Sequence, residues 1–175
     1  MKSANLRLLA ASAVLAVWAP LASAATLDID ITGIESYGFQ GDAGNAGLIF
    51  DLGAGATITG ISWDVGLTPV SPSWSEEATI SLYSEGGETV LNIFDGGNSD
   101  PVTAVGGMAL GQTAADGLLL IEFYEVDFDD IADGADAIWD GTLSIEYETA
   151  VVPVPAAAWL LGSGLLGLLG LRRRA

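Results

Sequence analysis

The chain has 175 residues, of which 23 are acidic and five basic, and it contains neither histidine nor cysteine. The basic residues lie only near the two ends, whereas all the acidic ones lie between Asp28 and Glu148, so the middle of the chain carries a side-chain charge of −23 with no cationic side chain to balance it. This excludes nucleic acid as a partner, because binding it requires cationic neutralisation of phosphates. The absence of cysteine and histidine also excludes disulfides and imidazole chemistry.

The first 24 residues have the layout of a secretory signal peptide. Lys2 and Arg7 form a charged start, and an apolar stretch from Leu8 to Trp18 follows. That stretch is short for a membrane span, and it is followed by the small residues that signal peptidase requires, Ala22-Ser23-Ala24. We therefore expect export and cleavage by signal peptidase after Ala24, with retention as an N-terminal anchor as the alternative.

Residues 25–150 show a pattern of short β-strands divided by Gly, Asp, Asn and Pro. Apolar and polar residues alternate in most of these strands, which places the apolar residues on one face. The run from Leu118 to Tyr124 is continuously apolar before it alternates, which predicts a central strand. The predicted strands are residues 26–32, 47–51, 57–65, 78–84, 89–94, 118–124 and 142–148.

Seven short strands with turn signals between them predict an antiparallel β-sandwich. The long connection from Gly66 to Glu77 suits a crossing between two sheets, which favours a jelly roll. Gly60 interrupts the third predicted strand and indicates a β-bulge. The expected fold is thus an all-β, jelly-roll-like sandwich with a signal helix before it and a transmembrane helix after it.

The densest acidic cluster lies between the last two predicted strands. Carboxylates gathered on one loop repel one another unless a hard cation neutralises them, and Ca²⁺ takes about 6–8 oxygen ligands. An EF-hand loop that began at Asp129 would place Ile131 at a ligand position, so the segment is not an EF-hand. It is a candidate for a looser calcium loop, and the alternative is a solvated acidic face. The candidate ligands are Asp127, Asp129, Asp130, Asp133 and Asp136.

The domain lacks the side chains that most often act as nucleophile or base in enzymes, because it has no His, Cys or Lys. A carboxylate pair such as Glu122 and Glu146 could serve a glycosidase, but among 23 acids some pair always qualifies. We therefore expect a non-enzymatic protein. Exposed rings at Trp63, Trp74 and Trp139 would suit a carbohydrate-binding module, although core packing is the expectation for Trp63 and Trp139.

Residues 151–175 form a separate C-terminal segment. Its start, Val152-Pro153-Val154-Pro155-Ala156, breaks secondary structure because both prolines fix φ and lack an amide donor. An uncharged run from Ala156 to Leu171 follows, which as a helix would span about 24 Å against a hydrocarbon core of about 30 Å. With its flanks it can still cross a bilayer. The basic cluster that follows places the C-terminus in the cytoplasm; it consists of Arg172, Arg173 and Arg174.

This tail resembles the PEP-CTERM class of bacterial sorting signals, in the variant whose motif reads Val-Pro-Leu-Pro-Ala; Val154 stands where that variant has leucine. The resemblance implies recognition by an exosortase, a membrane-embedded cysteine protease and transpeptidase, and cleavage near the motif. It also implies an inner-membrane intermediate and a final location in the envelope, surface or extracellular matrix of a Gram-negative bacterium.

The expected function is structural or adhesive, in or near exopolysaccharide, which would be an extracellular partner of the exported domain. Two alternatives remain open. The tail could be a permanent single-helix anchor, and the domain could be a calcium- or carbohydrate-binding module.

Overall fold

Nine β-strands make up most of what the computed structural model describes, which is residues 23–127, 134–150 and 160–164. Residues Ala22–Val151 form one unit, and the two terminal segments form another, of which only residues 160–164 are described. The strands are β1 (Ala24–Asp30), β2 (Ile34–Ser36), β3 (Ala46–Asp51), β4 (Ala56–Pro69), β5 (Ala78–Ser84), β6 (Gly87–Leu91), β7 (Val102–Ala114), β8 (Leu118–Glu125) and β9 (Ala137–Glu148).

The strands form two antiparallel sheets that share one core. Sheet A has the order β1-β9-β4-β7, with β2 also paired to β9. Sheet B has the order β3-β8-β5-β6. A single hydrophobic cluster contains residues of both sheets, such as Ile58 of β4 and Ile80 of β5. The predicted all-β antiparallel sandwich is confirmed.

The core follows from the alternation of residues along each strand. In β9, Ile145 is fully buried and its neighbour Glu146 is exposed. The strand predicted to be central, β8, does lie between β3 and β5. It turns its largest apolar side chains into the core, where burial of each stabilises the fold by about 1.5–3 kcal/mol: Leu119, Ile121 and Phe123.

Two strands were not predicted from the sequence. The first, β2, has only three residues, and the second, β7, contains three glycines, which have low strand propensity and leave no alternation to read. The bulge predicted in β4 is confirmed by its register with β9, where Ile58 and Gly60 lie opposite the adjacent residues Tyr147 and Glu146. Both β4 and β9 are longer than predicted because each continues along the other as far as the pair Pro69 and Ala137.

A loop covers the outer face of sheet B, namely residues 37–45 between β2 and β3. Gln40 donates from its side-chain amide to Ser81 Oγ at 3.3 Å. Glu122 Oε1 accepts hydrogen bonds from Gly41 N at 2.6 Å and from Asn45 Nδ2 at 3.2 Å. Ser81, which the alternation of β5 places on the outer face, is buried for this reason.

The chain enters and leaves the sandwich at one end of sheet A. Ala24 begins β1 opposite Glu148, the last residue of β9, and Thr149 N donates to Ser23 O at 3.1 Å. The other end of β9 lies beside the last residue of β4. The loop that follows β4 is therefore at the end of the sandwich away from the chain termini of this unit.

The predicted signal peptide and the predicted C-terminal sorting segment lie almost wholly outside the described residues. This holds for most of the signal peptide, for the motif from Val152 to Ala156 and for the basic cluster from Arg172 to Arg174. Residues 160–164, inside the predicted membrane segment, are helical. In the described parts of the chain, no helix has the length and apolar character needed to cross a bilayer.

Candidate functional site

An exposed tryptophan lies on the loop between β4 and β5. Trp74 keeps 48% of its surface exposed. Its indole lies against Gly97, in the loop between β6 and β7, so closely that a methyl group on Gly97 would be 1.9 Å from Trp74 Cε3. Glycine is needed there because any side chain would collide with the ring. Gly97 thus lies against the ring at Cε3 and Cζ3, and about half of the Trp74 side chain stays exposed to solvent.

Hydrogen bonds hold the two loops together beneath this ring. Ser75, which is 1% exposed, donates from its backbone N to Asn98 O at 2.9 Å and from its Oγ to Gly96 O at 3.2 Å. Trp74 N donates to Glu77 Oε2 at 2.7 Å. Because these contacts fix the loop in the free protein, a ligand that stacks on the ring would not have to order it.

A carboxylate lies beside the ring. Glu76 Oε1 would be 3.1 Å from the same methyl position on Gly97 that collides with the indole. A flat aromatic face flanked by hydrogen-bond acceptors can stack on the apolar face of a sugar ring and accept hydrogen bonds from its hydroxyl groups. We call Trp74, Glu76 and Gly97 the Trp74 platform.

The other two candidate tryptophans pack with the core, Trp139 inside it and the half-buried Trp63 against it. Trp139 is fully buried and packs against Phe94 and Phe123, with ring centroids 6.0 and 5.6 Å apart. Trp63 packs against the core and lies over Gly106 of β7, where a methyl group would be 2.7 Å from Trp63 Cζ2. The expectation of core packing is confirmed for both, so of the three candidates Trp74 is the one exposed for stacking.

Two carboxylates are buried at the end of the sandwich where β8 ends and β9 begins. Glu125 is 1% exposed and Asp136 is 2% exposed. Ser36 Oγ donates to Glu125 Oε1 at 2.5 Å, and Ser36 O accepts from Asp136 N at 2.8 Å. Trp139 Nε1 donates to Ser36 Oγ at 3.4 Å, which connects this cluster to the aromatic core. We call Ser36, Glu125 and Asp136 the buried acidic end.

The predicted calcium ligands divide between buried, exposed and undescribed positions. Asp136 belongs to the buried acidic end and Asp127 is exposed just after β8, whereas Asp129, Asp130 and Asp133 lie outside the described residues. Within residues 23–127, 134–150 and 160–164, no group of three or more acidic residues is placed to hold a metal ion. The acidic pattern missed Glu125 and Ser36 because both belong to strands, and only the fold brings them to Asp136.

Backbone amides take the place of cations at several exposed carboxylates. Asp51 Oδ1 accepts from Gly53 N at 2.9 Å, and Asp30 Oδ1 accepts from Thr32 N at 3.0 Å. Hydrogen bonds from Thr32 lower the pKa of Asp30, since they favour its charged form. The turn at Asp30 thus stabilises a charged carboxylate without Lys or Arg.

A tyrosine on the outer face of sheet B has its pKa raised by burial and by nearby carboxylates. Tyr124 is 6% exposed. Burial raises its pKa, and the negative charges of Glu88 and Glu122 raise it further because they disfavour a phenolate.

The outer face of sheet A is open. It holds a shallow depression of about 600 Å³ lined by small polar residues and carboxylates, among them Asp28, Ser62, Asp64 and Ser144. Ser144 Oγ donates to Asp28 Oδ1 at 2.6 Å. The half-buried Trp63 of β4 also lines it, whereas the more exposed Trp74 does not.

The carboxylates considered as a glycosidase pair lie far apart. Glu122 belongs to β8 and contacts the loop over the outer face of sheet B, whereas Glu146 belongs to β9 in sheet A. Their inward-facing neighbours, Ile121 and Ile145, are fully buried, so both glutamates point away from the core on opposite sides of it. They cannot act on one glycosidic bond, and this pairing was wrong.

No protein-family model and no curated protein matches the chain. Among solved structures, the chain is similar to dimeric latent PorU from Porphyromonas gingivalis, with a TM-score of 0.43 and 8% identity over 73% of this chain, and it spans 13% of the PorU chain. It is also similar to the coat protein of Tobacco streak virus, with a TM-score of 0.33 and 11% identity over 74% of this chain and 90% of that one. For turnip yellow mosaic virus the TM-score is 0.31 and the identity 10%, over 88% of this chain and 94% of the viral chain.

Proposed function

We propose that this chain is a non-enzymatic exported protein with a structural or adhesive role near exopolysaccharide, and that the Trp74 platform makes the contact with glycan. The observation that carries the proposal is the exposed Trp74 ring, held on Gly97 with Glu76 beside it. A solvent-exposed indole on a prearranged loop is a surface suited to binding rather than to packing.

The charge of the domain limits which glycans it can meet. With 23 acidic side chains and no Lys or Arg between Arg7 and Arg172, the domain repels polymers of uronic acids and sulfated sugars. Neutral sugars escape this repulsion. Sugars that carry a free amine are attracted by it, and their ammonium group can also interact with the indole face. The proposed ligands are therefore neutral or amine-bearing polysaccharides.

Binding of the full chain to soluble polysaccharides tests the proposed contact. We expect a neutral or amine-bearing polymer to bind, an uronic-acid polymer not to bind, and Trp74→Ala to weaken binding at least tenfold, which corresponds to about 1.4 kcal/mol. The matched control is Tyr83→Ala, which removes a similarly exposed aromatic ring (53% against 48%) from β5. Equal binding by the two variants would contradict the assignment to Trp74.

The sorting step of the proposal rests on the tail. It is supported by the motif from Val152 to Ala156, the uncharged run after it and the arginines at the end, which together resemble an exosortase substrate. In a Gram-negative host with an active exosortase, mass spectrometry should find a mature chain that lacks Arg172, Arg173 and Arg174. A host without the exosortase should retain them. An intact C-terminus in both hosts would overturn the sorting proposal.

We also propose that the sandwich is a jelly roll. If β1 and β2, which both pair with β9, are counted as one interrupted strand, the sandwich has eight strands. The chain then visits the sheets in the order A, B, A, B, B, A, B, A, and the last strand lies beside the first. This order supports the proposal because a jelly roll consists of eight strands in two Greek keys.

Calcium binding is a second candidate, and the burial of Glu125 and Asp136 favours it. Carboxylates as close together in the sequence as those from Asp127 to Asp136 repel one another unless a positive charge, such as that of a hard cation, neutralises them. Ca²⁺ bound by Asp136 together with Asp127, Asp129, Asp130 and Asp133 would supply that charge, since carboxylate oxygens are the ligands it prefers.

Thermal unfolding of the full chain tests the calcium proposal. Millimolar Ca²⁺ should raise the melting temperature above its value in NaCl of equal ionic strength, because a ligand that binds only the folded state stabilises it. Asp136→Asn should abolish this difference, whereas Asp64→Asn, in β4 of sheet A, should not. If calcium and sodium gave the same melting temperature, the proposal would fail.

A further inference from the structure

One edge of the sandwich differs from the others in charge. With β1 and β2 counted as one interrupted strand, the strands at the edges of the two sheets are β1 and β7 in sheet A and β3 and β6 in sheet B. Three of them contain carboxylates: β1 has Asp28 and Asp30, β3 has Asp51, and β6 has Glu88. The fourth, β7, contains no charged residue and is the longest of them, with 13 residues.

The uncharged stretch extends beyond β7 itself. No charged residue lies between Asp100 and Asp116, in a domain that has 23 carboxylates. Edge strands of monomeric proteins usually carry charge, proline or a strong bulge, because these features prevent pairing with other strands. β7 has one bulge, between Ala109 and Gln112, and its residues 102–109 have neither charge, proline nor a bulge, so this stretch lacks the usual protection.

Most of β7 is also accessible. Val105 is 79% exposed and Met108 is 44% exposed. The C-terminal end of the strand is occupied, since Gly86 N and Ser84 Oγ both donate to Thr113 O. For residues 102–109, β4 is the sole strand partner within the described parts of the chain. A stretch of eight residues therefore presents backbone N–H and C=O groups along an open sheet edge.

We infer that β7 pairs with β7 of a second copy of this chain, antiparallel and about a two-fold axis, so that the two A sheets become continuous. A second copy fits this edge because it brings an equally uncharged strand, and no carboxylates meet where the two strands pair. A basic partner would instead be drawn to the carboxylates of the other edges and of the open face of sheet A. The inference is independent of glycan binding at Trp74.

Electrostatic repulsion between the copies gives this pairing a distinct salt dependence. The first carboxylate inward from the seam is Asp64 of β4, which lies opposite Val105 in the sheet. Across the seam, two Asp64 residues would be three strand spacings apart, or about 14 Å. That is well within the Debye length of about 30 Å at 0.01 M salt, where the copies repel, but beyond the length of about 8–10 Å at physiological salt. Added salt should therefore strengthen the dimer by screening the repulsion, whereas it would weaken an interface built from opposite charges.

The absence of cysteine allows a direct test by cross-linking. Single cysteines are introduced into the full chain in mild detergent at Thr103, Val105 and Ala109, which are exposed and face the same side of β7. Directly opposed residues of an antiparallel pair lie about 4.5–5.5 Å apart, which is within disulfide reach. We expect one position, nearest the two-fold axis, to give a disulfide-linked dimer, and the yield to rise with NaCl. Val90→Cys, on the edge strand β6, is the control and should stay monomeric.

A charge variant supplies the second measurement. Val105→Asp should weaken dimerisation at least tenfold in sedimentation velocity, because it places two like charges at the seam, and Val90→Asp should not. Val105 is largely exposed, so the variant should fold, and circular dichroism checks this. A chain that stays monomeric at about 100 µM in high salt would overturn the inference. So would a dimer that Val105→Asp leaves intact, because another surface, such as the tail, would then hold it.

Discussion

Trp139 and Trp74 show one side chain in two opposite settings. Trp139 is fully buried between Phe94 and Phe123 and donates its indole N–H to Ser36. Trp74 lies on the backbone of Gly97 with about half of its surface exposed. The first ring joins the two sheets, and the second is held in place by loops. The same residue type therefore contributes mainly to stability at one position and to recognition at the other.

The largest effect should come from the interior ring. Trp139→Ala removes a fully buried indole and leaves a cavity beside Phe94 and Phe123, so we expect a loss of about 3–5 kcal/mol in the free energy of unfolding. Denaturant unfolding followed by circular dichroism measures it. A loss below about 1 kcal/mol would mean that the interior tolerates the cavity and that the contrast with Trp74 is smaller than we propose.

Trp63 is half-buried, between Trp139 and Trp74 in exposure, and a substitution at its neighbour Gly106 should lower the free energy of unfolding by less. Gly106→Ala places a methyl group 2.7 Å from Trp63 Cζ2, so the ring or strand β7 must shift, at a cost of about 1–3 kcal/mol. Gly111→Ala, in the same strand with open space around it, is the matched control and should cost less. Equal losses for the two variants would show that strand propensity, rather than the collision, causes the effect.

A pH titration extends the comparison to a buried tyrosine. The pKa of Tyr124 is raised in the folded state by burial and by Glu88 and Glu122, so the folded chain keeps a proton that the unfolded chain releases above about pH 10. The stability that this contributes is present below pH 10 and is lost as the pH rises through the higher folded pKa. Unfolding free energies measured from pH 8 to 11 should thus fall more for the natural chain than for Tyr124→Phe. Parallel curves would contradict this.

The smallest effect on stability should come from the surface ring. Trp74→Ala removes a half-exposed side chain, and we expect a change of about 0.5 kcal/mol or less in the free energy of unfolding, even though glycan binding is lost. Chemical denaturation of this variant beside Trp139→Ala measures the contrast directly. A large loss at Trp74 would indicate that its ring supports the two loops rather than a ligand.

Much of the fold follows from local pattern. The predicted bounds of β5 agree with the observed strand because alternation and the Gly86-Gly87 turn mark both its length and its end. The edge strand β7 was missed because its small residues and glycines give neither alternation nor high strand propensity. Its identity as a strand depends on pairing with β4, which is separated from it by two other strands in the chain order.

The candidate sites were only partly predictable for a related reason. Alternation tells which residues of a strand face inward, but Trp74 is on a loop, and its exposure depends on Gly97, more than twenty residues away. Likewise, the burial of Glu125 could not be read from its strand, because it depends on Ser36 and on the start of β9. Contacts between distant segments decided both cases.

The placement of the chain ends sets how far the Trp74 ring can reach. Ala24 and Glu148 lie at one end of sheet A, and the loop that carries Trp74 follows Pro69 at the other end, beside Ala137. The 12 residues of β9 connect these ends, and at about 3.4 Å per residue they measure about 40 Å. Within this unit, β9 thus acts as a spacer that holds the Trp74 platform at about this distance from the residues where the chain enters and leaves the sandwich.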